Sequence, residues 1–197
     1  KCTVCGYVMN TETVPATGTP TMPVIPPSVP SIPSGEAASA TVSVNREPYI
    51  YDDGSKKGWE VISDIILSAP EDGTVKVNMN GTSELPKNIL TAIQGRDIDL
   101  VLYMGSGFTW TINGMSVTKA KTVDMKVRKA SKIPKSVVEE YFGDLETIQI
   151  DLTHNGDFGF IAELTIDLGR KYNGMYANSY CYKSRKFEFG DSAEISD

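Results

Sequence analysis

Residues 85–114 read LPKNILTAIQGRDIDLVLYMGSGFTWTING, and residues 133–152 read IPKSVVEEYFGDLETIQIDL. Leu85-Pro86-Lys87-Asn88-Ile89-Leu90 matches Ile133-Pro134-Lys135-Ser136-Val137-Val138, and Gly95 matches Gly143. Ile98, Leu100, Leu102 and Phe108 then match Ile148, Ile150, Leu152 and Phe158. Each stretch predicts a proline at the first helical position, where its missing N–H costs nothing, and a glycine where the helix ends in left-handed geometry. Leu85, Ile89 and Ile93 recur every four residues, so one helix face is buried, and Val137, Val138, Tyr141 and Phe142 play that part in the second helix. Ile98, Leu100 and Leu102 alternate with Asp97 and Asp99, and Ile148, Ile150 and Leu152 alternate with Thr147, Gln149 and Asp151, as strands wetted on one face do. The turns Gly105-Ser106-Gly107 and Asn155-Gly156 predict a hairpin in each unit, the units running over about 85–114 and 133–168.

Working outward, Trp59, Ile62, Ile65 and Ile66 predict a further amphipathic helix, with Ser55 as N-cap after Asp52-Asp53-Gly54. Val75, Val77 and Met79 alternate as a strand, as do Val123, Met125 and Val127. The expected fold is α+β with two layers, helices over largely antiparallel strands, and an internally duplicated helix-hairpin unit. It occupies residues 45–197, a common single-domain size.

Ahead of it, Pro15, Pro20, Pro23, Pro26, Pro27, Pro30 and Pro33 lie so close together that the chain favours extended polyproline II, a semi-rigid spacer over 19–44. An SH3-type ligand is the alternative, but no Arg or Lys lies between Cys2 and Arg46 to flank it. The net charge is -6. Since 1–44 hold only Lys1, Glu12 and Glu36 as charged residues, the acidity belongs to the module. A pI near 4.9 argues against a nucleic-acid surface, and no run of about 18 apolar residues crosses a membrane. The chain opens on Lys1 with no secretion leader, as a mature or excised piece would.

Cys2 and Cys5 form a CxxC in KCTVCGY; Cys181 stands alone. Tetrahedral zinc needs four ligands and this knuckle supplies two, so zinc at Cys2 and Cys5 requires ligands outside this segment, and a Cys2–Cys5 disulfide is an alternative. No cofactor is otherwise implied.

KCTVCG (1–6) followed by ETVPATG (12–18) resembles the end of a CxxCG repeat in modular cell-surface proteins of Gram-positive gut bacteria. VNMNGTSELPKNILTAIQGRDIDLVLYMGSGFTWTING (77–114) and GMYANSYCYKS (174–184) are similar to a module of the same proteins. Thr19 and Pro20 stand where such repeats often carry a histidine, which weakens a metal role for the knuckle. The resemblance divides the chain into a repeat end (1–18), a spacer (19–44) and the module. It implies an extracellular, surface-located protein and supplies no catalytic motif.

Catalytic candidates are few. His154, the sole histidine, falls in the turn His154-Asn155-Gly156-Asp157, and the chain has no GxSxG, HExxH, GxxxxGK or GxGxxG. Three carboxylate pairs (Asp97 with Asp99, Glu139 with Glu140, Asp151 with Glu163) keep a glycoside hydrolase as an alternative. Asp52-Asp53-Gly54-Ser55 offers oxygen ligands in a turn but lacks the EF-hand spacing.

Aromatic placement is the clearest functional pattern. Tyr176, Asn178, Tyr180 and Tyr182 alternate onto one strand face, an arrangement that stacks on sugar rings while its amide bonds their hydroxyls, or else packs against helices and against Phe187 and Phe189. Trp110 shares parity with Phe108 and Ile112, and Trp59 faces with Ile62 and Ile66; both read as core, while Tyr49 and Tyr51 are less committed. The expected function is a non-enzymatic binding or adhesion module for a glycan or surface protein, with no nucleic-acid partner and no membrane insertion. A purely structural spacer or presentation module is the alternative.

Overall fold

The computed structural model describes Gly6–Thr11, by backbone alone, and Arg46–Ser196. Cys2, Cys5 and the spacer 19–44 lie outside these residues.

Helix α1 (Trp59–Ser68) forms where the apolar spacing places it, with Ile62 and Ile66 fully buried and Trp59 and Ile65 packed half-buried against the same core. It does not start at Ser55. Strand β3 (Asp53–Lys57) pairs with β2 (Tyr49–Ile50), and the N-cap is Gly58 at φ 86°. The Ser55 hydroxyl and N–H both donate to Asp53 Oδ1, holding that carboxyl below its usual range, so the turn expected to cap the helix closes on itself. The carbonyls at the far end of α1 are satisfied by Arg96, which donates to the Ile66 and Ala69 oxygens at 2.9 and 2.7 Å while meeting Glu71 at 3.1 Å.

The first unit has the expected order: β4 (Gly73–Asn78), β5 (Glu84–Leu85), α2 (Lys87–Ile93), β6 (Ile98–Gly105) and β7 (Phe108–Asn113). Pro86 is the N-cap, one position earlier than predicted, and Gly95 has the positive φ of 74° that its place after the helix demands. Ile98, Leu100 and Leu102 are completely buried, and β6 and β7 form the predicted hairpin around Ser106 and Gly107, both at positive φ.

The second unit begins alike, with α3 (Lys135–Phe142) after Pro134 and Gly143 at φ 63°. Strand β10 (Glu146–Leu152) follows, but its supposed hairpin partner β11 (Ala162–Ile166) lies in another sheet beside β7. The helix-then-strand half is repeated and the hairpin is not. Nine residues separate the two strands, and Gly159 within them accepts bonds from the Thr118 and Lys119 N–H groups, tying the segment to the loop after β7. Pairs β8 (Val123–Asp124) with β5, and β9 (Val127–Ala130) with β10, split the alternating Val123–Val127 run between two sheets.

The strands β12 (Tyr176–Lys183) and β13 (Lys186–Glu194) complete the fold. One sheet has the order β11-β7-β6-β4-β2-β3; all its pairings are antiparallel except β4 with β6, which are parallel across α2. The other runs β13-β12-β1-β10-β9, where β1 (Gly6–Thr11) lies antiparallel between β10 and β12. Gly6–Thr11, assigned from its sequence to a repeat end outside the module, is thus a strand within it. The main core joins α1, α2, the inner face of the six-stranded sheet and Ile150 of the other; Trp110 is in it, as expected, and so is Phe160. Cys181, buried on β12, is disulfide-bonded, which corrects the reading of it as a solitary thiol. No helix among the described residues is long and apolar enough to cross a membrane.

Candidate functional site

Strands β12 and β13 pair so that Tyr180 faces Phe189 and Tyr182 faces Phe187, placing four rings on one side of the sheet. On that side α3 lies across them. Val138 and Phe142 are buried with Ile133, and Val137, Leu145, Tyr180, Tyr182 and Phe187 pack around them as a second, smaller core. Ring centroids are 4.9 Å apart for Phe142–Tyr180 and Phe142–Phe187, 4.8 Å for Tyr141–Phe187, 4.7 Å for Tyr182–Phe187 and 5.6 Å for Tyr180–Phe189, within the range of favourable aromatic contact.

The four candidate residues of β12 therefore divide. Tyr180 and Tyr182 are half-buried members of this cluster, so much of their area goes to holding α3 on the sheet. Asn178 and Tyr176 lie further along the same face, opposite Ser192 and Glu194, with Tyr176 61% exposed. What reaches solvent at the cluster itself is Tyr141, 55% exposed, and Phe189, 59% exposed. Tyr141 was expected to be buried with Phe142; it instead lies at the open margin of α3, where a hollow of about 440 Å³ is lined by Val137, Glu140, Tyr141, Arg185, Lys186 and Phe187. The helical spacing of Val137, Val138, Tyr141 and Phe142 spans too wide an arc for a helix of eight residues resting on a flat sheet, so its flank stays open.

Four of the six carboxylate candidates, Asp97, Asp99, Glu139 and Asp151, have other partners. Asp97 and Asp99 both accept from the Asn113 side chain at 2.8 and 2.9 Å. A hydrogen bond and the charge of Asp97 also raise the neighbouring Asp72 above its ordinary pKa. Glu139 pairs with Lys135 at 3.0 Å along α3. Asp151, whose side chain is 13% exposed, meets Lys132 at 2.8 Å and Arg128 at 2.9 Å and is held below the usual carboxylate range by them, while Glu163 sits on β11 in the other sheet. A carboxyl depressed on folding stabilises fully above its unfolded pKa, near 4, and loses that contribution as pH falls through its folded value. Asp151→Asn is expected to lower stability at neutral pH by under about 1 kcal/mol, because both cations are more than half exposed and solvent screens them. The gap from the parent should close on acidification, as urea midpoints across the acid range will show.

His154 makes a loop contact, its Nε2 3.1 Å from the Asp157 carbonyl oxygen and its ring 4.7 Å from that of Phe158. Among the described residues no group of three or more His, Cys, Asp or Glu side chains is placed to hold a metal ion. Tyr51 stacks on Tyr103 at 4.1 Å on the open face of the six-stranded sheet. A second hollow of about 430 Å³, lined by Trp110, Leu164, Ile166 and Ala177 among others, lies between the two sheets and opens to solvent beside the exposed Ile161, Glu163, Asp191 and Ala193.

The chain matches no protein-family model, no curated protein and no solved structure.

Proposed function

We propose that the chain is a non-enzymatic binding or adhesion module of an extracellular bacterial surface protein, with a glycan or a surface protein as ligand. The observation that supports this is the aromatic face: six rings in one contiguous cluster, two of them, Tyr141 and Phe189, more than half exposed. Folding alone would have covered such rings, since each buries a large apolar area when packed, and exposed aromatic patches rimmed by polar groups mark sites of contact. Tyr176 and Asn178 extend the same face and supply a hydroxyl and an amide for orientation. The surface location rests on the resemblance of the KCTVCG and ETVPATG segments.

The test is a glycan array together with Tyr141→Ala/Phe189→Ala. Because both side chains are more than half exposed, the double variant should stay folded, losing about 1–3 kcal/mol of stability from the ring contacts at the cluster margin, while retention on the ligand falls about tenfold or more. Retention unaltered in the variant would sink the site. A parent chain that retains no glycan and no surface protein would favour the purely structural reading.

A further inference from the structure

Resting on the aromatic-face reading, we infer that the ligand is an acidic polysaccharide whose uronate carboxylates are taken by Arg185 and Lys186. The β12–β13 connection reads Lys183-Ser184-Arg185-Lys186, three cations in four residues of a chain whose net charge is -6. Arg128 and Lys132 hold Asp151, Arg96 holds Glu71 and Lys135 holds Glu139. Among the described residues the side chains of Lys183, Arg185 and Lys186 have no hydrogen bond or ion pair; Lys57, Lys76, Lys87, Lys126 and Lys129 have none either, but Arg185 and Lys186 stand side by side and line a hollow together with Tyr141, Phe187 and Glu140.

Backbone geometry adds an independent indication. Ser184 and Arg185 occupy the tip of a two-residue hairpin at φ 52° and 63°, positions that favour Asn-Gly. Among the described residues the other non-glycine positions at positive φ are Asp72, Asn80, Ser106 and Ser184, all short and polar. Of these residues Arg185 alone carries a long charged side chain into that conformation, and strain kept where glycine would relieve it points to use of the side chain.

Shape and charge then agree. Tyr141 and Phe187 line the hollow and supply ring surface of the kind that packs on the C–H face of a pyranose; Arg185, whose planar fork matches a carboxylate, and Lys186 line it with them. Glu140 accepts from a sugar hydroxyl and opposes polymers of denser charge, such as multiply sulfated chains. A neutral glycan would leave both cations without a function.

The experiment compares retention of the full chain on polygalacturonate, on its methyl ester and on a neutral galactan, at low and high salt. Arg185→Gly is the deciding variant, because glycine suits the turn and the change should raise the thermal midpoint while removing the charge. Expected are retention on polygalacturonate that weakens with salt, little on the ester or the galactan, and a loss of about tenfold in Arg185→Gly. Equal retention on ester and acid, unmoved by Arg185→Gly, overturns the uronate inference and leaves the aromatic-face reading standing. Acid-dependent retention that ignores Tyr141→Ala/Phe189→Ala overturns the aromatic face instead. Binding confined to an acidic peptide, with no polymer retained, overturns the polysaccharide.

Discussion

Trp110→Ala is expected to cost about 3–5 kcal/mol of stability, enough to consume much of what a domain of this size has. The indole is 4% exposed at the centre of β7, packed in the main core and 6.0 Å from the ring of Phe158. Its Nε1 donates at 3.0 Å to the Met125 carbonyl oxygen, between β8 and β9. Alanine removes the largest side chain of the core and strips a buried carbonyl of this partner, so the cavity and desolvation penalties add. Trp110→Phe separates them: it keeps most of the apolar area and loses the bond, for about 1–3 kcal/mol. Trp59, half-buried on α1, remains as a fluorescent reporter for urea titrations of both variants. A cost below about 1 kcal/mol for alanine would mean that β7 does not carry the core in this way.

Gly114→Ala is expected to be as damaging, about 3–5 kcal/mol, through overpacking rather than a void. Gly114 is buried where the chain leaves β7, and its φ is not left-handed, so conformational freedom is not the reason for glycine. A Cβ there would come within 2.5 Å of the Arg96 carbonyl oxygen and closer still to that of Ile93, at the end of α2. Both obstacles are backbone and cannot swing aside. The Gly114 carbonyl also accepts from the Gly95 and Val117 N–H groups, so movement to relieve the clash would break the junction between α2 and the sheet. Soluble expression and the urea midpoint measure the effect. An alanine variant of near-parental stability would show that α2 can withdraw from the sheet at little cost.

Much of the fold was legible because its determinants are local. Helix α1, the β6–β7 hairpin and the buried rows of β4, β6 and β10 follow from period and turn chemistry within a few residues. Pairing between distant segments was harder to read. The β4–α2–β6 passage carries a strand-helix-strand order, the usual mark of a parallel pair, for which the expected, largely antiparallel plan of duplicated hairpins has no place. Asn155-Gly156 has the composition of a hairpin turn, but its strands serve different sheets because Gly159 is docked on the Thr118–Lys119 backbone; there a Cβ would collide with the Lys119 carbonyl oxygen. At the candidate site the β12 face was visible from alternation, whereas the exposure of Tyr141 depended on how far a short helix covers the sheet, a tertiary fact. The unpaired cations at 183–186 were in plain view between two aromatic strands. Their significance emerges only once Arg185 is seen to line the hollow beside Tyr141.

Strand β13 has a further bearing on how the chain behaves in concentrated solution. Its nine residues form one border of the five-stranded sheet, most of them exposed, so a row of backbone donors and acceptors faces outward with no strand of the described residues beside it. Such a border is a template on which another copy can add its own, and what discourages this is the set of charges at Lys186, Glu188, Asp191 and Glu194 together with the register shift opposite Ser179 and Tyr180. Three of those four charges are carboxylates. Near the pI of about 4.9, with net repulsion gone, the sheet that carries the aromatic face becomes more prone to extend from molecule to molecule. Colloidal stability and the candidate binding surface therefore share one hairpin.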